Sequence, residues 1–279
     1  MPNVLRIVMS SRKGGAGKTV VTVLLARELA RQGARVLVLD LDPQSVGSSM
    51  RLGADITSPL NYTALDLVRG SKGREFRPQT IIPDRLDVVA GNQRDLGALE
   101  VQLAESFAES RLTRGPDARR WILDARLSNI ETGYDFVLVD TPTGFGEITT
   151  NALEAAHLVL SPIDMASADN VESVRDLLDH VAELSHRPDL YFVPNKAARR
   201  ETQWAEALQR AVELCGERLL LTAILPASTA VPQAMSAHRD IVSGSNTATL
   251  LTQAVWQLGQ FIISHAAKPP TAAIGGGAQ

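Results

Sequence analysis

The chain has 279 residues, of which 44% are hydrophobic, and a formal net charge of −3. This composition is typical of a globular protein with a sizeable core, and it excludes a disordered chain and a globally basic nucleic-acid-binding protein. Cys215 is the sole cysteine, which excludes an internal disulfide and the multi-cysteine iron–sulfur sites. No uninterrupted apolar run approaches the roughly 20 residues of a membrane span.

The first predicted unit is a strand, a glycine-rich turn and a helix. Residues 4–9 are an apolar run typical of a buried strand, residues 20–30 favour a helix, and Ser-Arg-Lys-Gly-Gly-Ala-Gly-Lys-Thr lies between them at 11–19. Such a turn forms a phosphate cradle, because backbone N–H groups and the helix dipole converge on an anion. In it, Lys18 would reach the β/γ-phosphates of a nucleotide and the Thr19 hydroxyl would bind Mg²⁺.

The turn departs from the ordinary P-loop pattern, since Arg12 replaces a glycine and a second lysine, Lys13, opens the motif. This K-G-G-x-G-K-T form resembles the deviant Walker A box of the ParA/MinD family of P-loop ATPases. The resemblance implies an ATP/ADP and Mg²⁺ site, an ATP-sandwich dimer in which Lys13 reaches the partner's nucleotide, and close backbone approach at Gly15. The nucleotide-binding residues implied in this segment are Lys13, Gly14, Gly15, Ala16, Gly17, Lys18, Thr19 and Val20.

A second strand is predicted over residues 35–40, and it leads into Asp40-Leu41-Asp42-Pro43-Gln44. Carboxylates at the carboxyl end of a parallel strand lie in the crevice where such sheets bind ligands. Taken alone, the two aspartates fit an ordinary turn before a proline better than a site. Asp-x-Asp-Pro-Gln is also typical of the ParA branch, and this resemblance implies that Asp40 helps to hold the water shell of Mg²⁺ and that Asp42 positions the attacking water.

Residues 53–84 are predicted to be rich in loops, with one short helix near 64–68. A strand is then predicted at 86–90, followed by helices at 96–108 and from 116 to about 130. In the last of these helices, the apolar residues Trp121, Leu123 and Leu127 are expected in the core.

A nearly pure apolar strand at residues 136–140 ends in Asp140, which Thr141-Pro142-Thr143-Gly144 follows. Hydrophobic residues that deliver an aspartate to the sheet edge form a Walker B arrangement, in which Asp140 would hold Mg²⁺. The alternative is an aspartate that merely ends a strand. The family usually has a second proline at the position of Thr143, and this substitution affects the loop while leaving the carboxylate in place.

The second half of the chain continues the alternation of strands and helices that a parallel sheet requires. Strands are predicted at 157–160, 190–193 and 219–224, and helices at 170–184, 201–214 and 246–265. The fold class is therefore predicted as α/β, a P-loop NTPase with a mostly parallel twisted sheet and helices on both faces. Residues 1–268 are expected to form one domain, and residues 269–279 a flexible tail.

Downstream of the phosphate motifs the resemblance weakens. Asn195 is a candidate for adenine recognition through its amide, with an ordinary turn as an equally good interpretation, and Pro226 is expected to line the base pocket. ParA proteins often carry an arginine after this proline that contributes to DNA binding, and here Ala227 takes its place. Positive charge for DNA is instead expected from Lys196, Arg199 and Arg200, which fit a solvated basic turn equally well. The cluster of arginines between 111 and 126 is the next candidate.

The resemblance covers residues 5 to about 261 and points to the branch without an N-terminal helix-turn-helix domain. It implies a cytoplasmic, nucleoid-associated ATPase with weak basal activity that partitions plasmid or chromosomal DNA. Its partners would be a ParB-type centromere-binding protein, non-specific double-stranded DNA and a second copy of itself. A membrane is disfavoured, because the terminal helix has no lysine or arginine before Lys268. The alternative is a regulatory or MinD-like positioning ATPase that does not act on DNA.

Overall fold

The computed structural model of the chain describes residues 4–42, 47–58, 61–70, 75–91, 93–114, 122–198, 202–228, 231 and 246–267. The strands in these ranges are β1 Leu5–Met9, β2 Val36–Asp40, β3 Gln79–Ile82, β4 Leu86–Val89, β5 Phe136–Asp140, β6 Leu158–Asp164 and β7 Asp189–Asn195. The helices are α1 Lys18–Arg31, α2 Ser48–Leu52, α3 Ala64–Arg69, α4 Gln93–Arg114, α5 Ile122–Ser128, α6 Glu147–Glu154, α7 Ala168–Ala182, α8 Thr202–Cys215 and α9 Asn246–Ala266.

The strands form one seven-stranded sheet in the order β3-β4-β2-β5-β1-β6-β7. β3 pairs antiparallel with β4, and every other neighbouring pair is parallel. The central strands β2 and β5 are buried along their whole length, which explains their nearly continuous apolar sequences. The predicted α/β class with a mostly parallel sheet is confirmed.

Two hydrophobic clusters cover the two faces of the sheet, as the alternation of side chains along each strand requires. On β5, Val137 and Val139 belong to the cluster that contains α3 to α8, whereas Leu138 belongs to the cluster that contains α1, α2 and α9. Because helices cover both faces, the ends of the strands are the places where loops can form a site. The carboxyl ends of β1, β2 and β5 meet at one edge, where Asp40 and Asp140 are register partners.

The strand predicted at residues 219–224 is wrong. Leu219 and Pro226 make only isolated bridges, to Phe192 and Ala197, and the chain between them turns instead of running along β7. Leu219, Leu220 and Ala223 of the predicted strand are nevertheless buried, with Leu220 and Ala223 in the cluster of α1 and α9, whereas Leu221 is exposed. The run is therefore apolar because it covers the core beside β7.

Other boundaries differ less. The loop-rich interpretation of 53–84 missed β3, a short strand whose side chains stay partly exposed, and α4 extends beyond the predicted 96–108. Leu123 and Leu127 are buried as expected. Trp121 and the start of the helix predicted from residue 116 lie outside the described residues.

The helix predicted at 246–265 is present as α9. It packs against α1 through apolar residues that include Leu251 and Leu258. Within the described ranges, no helix combines the length and the hydropathy that crossing a membrane requires. The flexible tail predicted at 269–279 falls outside those ranges.

Candidate functional site

The turn between β1 and α1 has the backbone of an anion cradle. Gly15 and Gly17 both have positive φ, at 77° and 104°, in the region that favours glycine. A Cβ atom on Gly17 would also overlap the side-chain amide of Asn195, so any larger residue there would displace this contact. The glycines thus allow the chain to turn sharply and to begin α1 with its N–H groups facing the crevice.

Lys18, the first residue of α1, is only 6% exposed. Its ammonium donates hydrogen bonds to the hydroxyls of Ser11 (3.4 Å) and Thr143 (3.3 Å). Burial lowers the pKa of Lys18, while the negative charges of Asp140 and Asp42 act in the opposite direction. A buried cation held by neutral hydroxyls is well suited to receive an anion.

The carboxylate of Asp40 is already occupied by protein donors. It accepts hydrogen bonds from the backbone N–H (2.8 Å) and hydroxyl (2.6 Å) of Ser49 and from the N–H of Asp42 (3.2 Å). Burial raises its pKa, which these hydrogen bonds partly offset. Asp40 therefore ties the start of α2 to the end of β2, and its share in a Mg²⁺ site stays a prediction.

Asp140 has the opposite surroundings. The carboxylate is fully buried, and neither oxygen has a hydrogen bond within the described structure. Burial, followed by the charge of Asp40, raises its pKa to about 8, and the neighbouring Thr19 hydroxyl offsets part of this rise. A buried carboxylate normally has a hydrogen-bond or ion partner, and the described residues supply none by hydrogen bonding to these oxygens.

A hydrated Mg²⁺ fits this gap. Asp140 and Thr19 offer oxygen atoms, which Mg²⁺ prefers, and the ion usually retains waters and takes further oxygens from phosphates. Among the described residues, no group of three or more His, Cys, Asp or Glu side chains could hold a metal ion on its own. The site is thus suited to an ion that arrives with a nucleotide.

A cavity of about 990 Å³ opens beside this edge of the sheet. Among the predicted residues, it brings together Gly14, Gly15, Gly17, Lys18, Thr19, Val20, Asp42, Asn195, Lys196 and Pro226. Its lining also includes residues that sequence reasoning missed, namely Arg51, Pro142, Thr143, Ala227, Ser228 and Val231. Arg51 lies on α2 and could not be placed from spacing alone, because the lining residues come from distant parts of the chain.

Lys13 does not line this cavity. Its side chain is exposed at the outer rim of the turn, and its ammonium donates to the side-chain oxygen of Asn170 on α7. The neighbouring Arg12 lies over the ring of Phe145, with its guanidinium carbon 5.9 Å from the ring centroid. The two lysines of the motif therefore face different surroundings, Lys18 inwards and Lys13 outwards.

Asn195 ends β7 and is largely buried against the turn. Its side-chain N–H donates to the backbone oxygen of Ala16 at 2.7 Å. Asn195 thus supports the cradle directly, and adenine recognition by the same amide stays a prediction. Its neighbour Lys196 has a positive φ of 56° and pairs with Asp164 at 2.7 Å.

Of the three DNA contacts predicted around residue 200, Lys196 lies within the described residues. Lys196 lines the nucleotide-sized cavity, which is a different location from an outward-facing basic patch. Arg199 and Arg200 lie outside the described residues. Arg126, from the alternative cluster, donates to backbone oxygens of α3.

The loop after Asp140 is fastened to the turn and to α4. The N–H of Gly144 donates to the backbone oxygen of Ser11 at 3.3 Å, which adds to the Arg12–Phe145 contact. Beyond the loop, the carboxylate of Glu100 on α4 accepts the N–H groups of Glu147 and Ile148 at the start of α6. Glu100 therefore caps α6, a contact that the sequence alone did not reveal.

Comparison with known proteins agrees with this geometry. Residues 5–191 match the AAA_31 family, described as an AAA domain. The chromosome-partitioning ATPase Soj of Thermus thermophilus is 34% identical over 185 residues, which cover 65% of this chain and 63% of that protein. The match thus spans less than two thirds of this relative's length.

Two solved structures show the same fold at low sequence identity. The ATP complex of a substituted McdA from Cyanothece has a TM-score of 0.77 at 20% identity, covering 95% of this chain and 97% of that one. MinD from Pyrococcus horikoshii, complexed with Mg-ADP, has a TM-score of 0.71 at 18% identity, covering 96% and 100%. The predicted P-loop NTPase fold is therefore confirmed. The family match over residues 5–191 shows that the chain belongs to the AAA_31 family, and its deviant motif at residues 11–19 and its fold are similar to those of ParA-type P-loop ATPases.

Proposed function

We propose that the chain binds Mg·ATP in the cavity beside the P-loop and hydrolyses it slowly as an ATP-dependent homodimer. The observation that carries this proposal is the pairing of a buried Lys18 ammonium, held by neutral hydroxyls, with a buried Asp140 carboxylate that has no hydrogen-bond partner among the described residues. The first fits the terminal phosphates and the second fits hydrated Mg²⁺. Lys18 lines a cavity large enough for a nucleotide, and Thr19, which neighbours the buried Asp140, lines the same cavity.

In this proposal each residue has a separate task. The N–H groups of the glycine turn and Lys18 hold and neutralise the phosphates, while Asp42, on the cavity wall, orients the attacking water. Mg²⁺, when bound, neutralises charge on the β/γ-phosphates, with Thr19 and Asp140 holding it. Positioning and electrostatics account for most of phosphoryl-transfer catalysis, so slow basal turnover is expected until a partner completes the site.

The outward direction of Lys13 supports a dimer. Because its ammonium lies on the rim and contacts Asn170, it can meet a second subunit's nucleotide more readily than its own. In a sandwich of two subunits, Lys13 would add positive charge to the partner's phosphates.

We further propose that the ATP-bound dimer binds double-stranded DNA without sequence preference and that a ParB-type protein stimulates hydrolysis. The similarity to Soj, a chromosome-partitioning ATPase, supports this choice. Arg199 and Arg200 are the proposed phosphate contacts, because two copies of a basic turn suffice for sequence-independent binding. Lys196 is a weaker candidate, since it pairs with Asp164 and lines the cavity.

A mobility shift on random duplex DNA tests this function with ADP, ATP and a non-hydrolysable ATP analogue. Binding only in the two ATP states, with a steep loss at higher salt, supports partition. Lys18→Ala is the control that should bind DNA in no state, because it lacks the phosphate-neutralising side chain. Absence of binding with every nucleotide would favour the alternative, a regulatory or MinD-like positioning ATPase.

A further inference from the structure

Thr143 lies at a position where the ParA/MinD family usually has proline, and its hydroxyl meets the P-loop. The oxygen accepts a hydrogen bond from the Lys18 ammonium at 3.3 Å, and the residue lines the cavity. The same hydroxyl faces Gly14, since a Cβ atom there would lie 3.9 Å from it. The substitution therefore changes more than loop stiffness, because it adds a polar group to the phosphate cradle.

The two hydroxyls beside Lys18 differ in the use of their protons. A hydroxyl has one proton to donate. Ser11 donates its proton to the backbone oxygen of Lys13 at 3.0 Å. For Thr143, only the hydrogen bond received from Lys18 is present among the described residues, so its proton remains available.

The order of the strands indicates which end of a nucleotide Thr143 would meet. The P-loop follows β1, and the sheet runs β5-β1-β6-β7 across this edge. Asn195 and the bridge at Pro226 lie on the β7 side, whereas Asp140 ends β5 and Thr143 lies in the loop after it. A nucleotide whose base lies towards β7 therefore points its terminal phosphate towards the β5 loop.

The loop that carries Thr143 is also held against the cradle. Gly144, with a φ of 90°, donates its N–H to the backbone oxygen of Ser11, and Arg12 covers Phe145. These contacts on the residues immediately after Thr143 restrict where its hydroxyl can go. The Thr143 hydroxyl would need to move only a short distance from the Lys18 ammonium to donate to a phosphate oxygen bound at that ammonium.

We infer that the Thr143 hydroxyl donates a hydrogen bond to the γ-phosphate of bound ATP and so favours the binding of ATP over that of ADP. This inference rests on the proposed nucleotide site and adds a residue that the family's usual proline cannot replace. Anion binding at Lys18 displaces the ammonium–hydroxyl contact, and both groups then bind the same phosphate. ADP lacks that phosphate, so Thr143 contributes little to its binding.

Binding measurements with an isosteric variant test the inference. Thr143→Val keeps the shape and removes the hydroxyl, Thr143→Ser restores it, and Thr143→Pro introduces the family's usual residue. Because a hydrogen bond to a charged group is lost, both hydroxyl-free variants should bind the Mg²⁺ complex of a non-hydrolysable ATP analogue about tenfold more weakly or worse. Their affinity for Mg·ADP should change less than about twofold, and Thr143→Ser should match the wild type.

Other outcomes would overturn the inference. An equal loss for the ATP analogue and ADP assigns Thr143 to an inner phosphate or to cradle structure, and unchanged affinity for both removes it from the site. Thermal melting of each variant without nucleotide detects a folding defect. Proline and valine affect the backbone differently, so Thr143→Pro and Thr143→Val should not both have the same defect. Failure of the wild type to bind either nucleotide would instead contradict the proposed function.

Discussion

Lys13 and Lys18 belong to the same turn, yet they face opposite directions. Lys18 is buried at the cavity, whereas Lys13 is exposed and contacts Asn170. Lys13→Ala should therefore retain nucleotide binding and lose ATP-dependent dimerisation and hydrolysis. Size-exclusion chromatography with light scattering in ATP measures the dimer. A variant that still dimerises and turns over ATP would limit Lys13 to a role in the loop.

Asp42, which lines the cavity and is proposed to orient the attacking water, provides a second variant for comparison. Asp42→Ala leaves both lysines in place, so it should form the ATP dimer and hydrolyse slowly. Single-turnover hydrolysis of the isolated dimer checks this expectation. Wild-type turnover in Asp42→Ala would remove this carboxylate from the mechanism.

Cys215 illustrates how burial controls the chemistry of a single residue. It is 6% exposed at the end of α8, and burial raises its pKa to about 12. Since the thiolate is the reactive form, alkylation of the folded protein at pH 8 should be roughly a thousandfold slower than in denaturant. Mass spectrometry of iodoacetamide-treated protein, with a guanidinium-unfolded sample as control, measures the two rates. Equal rates would contradict the burial of this thiol.

At the scale of elements, α6 depends on a residue from another helix. Gly146, the residue before α6, supplies no side-chain cap, and Glu100 accepts the N–H groups of Glu147 and Ile148 instead. A carboxylate at a helix N-terminus typically contributes about 1–2 kcal/mol to stability. The position of the loop between Asp140 and α6 is therefore linked to α4.

Glu100→Ala should lower the free energy of unfolding by about 1–2 kcal/mol and speed amide exchange at the start of α6. Glu105→Ala is the matched control, because Glu105 is an exposed acid on the same helix. Urea unfolding and hydrogen exchange measure the two effects. A similar loss in both variants would mean that the change reflects α4 itself and not the cap.

Local sequence patterns predicted the elements of the proposed phosphate site, whereas they could not predict contacts between residues far apart in the sequence. The glycine spacing predicted the turn that brings Lys18 to the crevice, and the apolar strand predicted Asp140 at its end. The contacts of Asn195 with Ala16 and of Glu100 with Glu147 join residues far apart in sequence, so no local pattern reports them. The apolar run at 219–224 misled because burial beside a sheet and pairing within it produce the same hydrophobicity.

At the scale of the whole molecule, the faces of the sheet form the core and one edge of the sheet forms the candidate site. Its faces are filled by helices, whereas the edge formed by the carboxyl ends of β1, β2 and β5 collects Lys18, Asp40 and Asp140. Asp40 and Asp140 end neighbouring strands, and Lys18 begins the helix that follows the next strand, β1, so the core fixes their spacing.

Because the carboxyl group of Asp140 is buried, binding of a metal–nucleotide complex at this edge of the sheet should depend on pH. With a pKa of about 8 in the nucleotide-free protein, Asp140 carries a proton at pH 7 in most molecules, and holding Mg²⁺ requires the carboxylate. Loading with Mg·ADP at pH 7 should therefore release up to about one proton per site, and at pH 9.5 almost none. Calorimetric titrations at pH 7 in two phosphate-free buffers of unlike ionisation enthalpy, such as PIPES and Tris, would then give different heats. The same comparison at pH 9.5, with two buffers suited to that pH, should give nearly equal heats. At neutral pH, each round of nucleotide binding should therefore release a proton to the solution, and each round of nucleotide release should take one up.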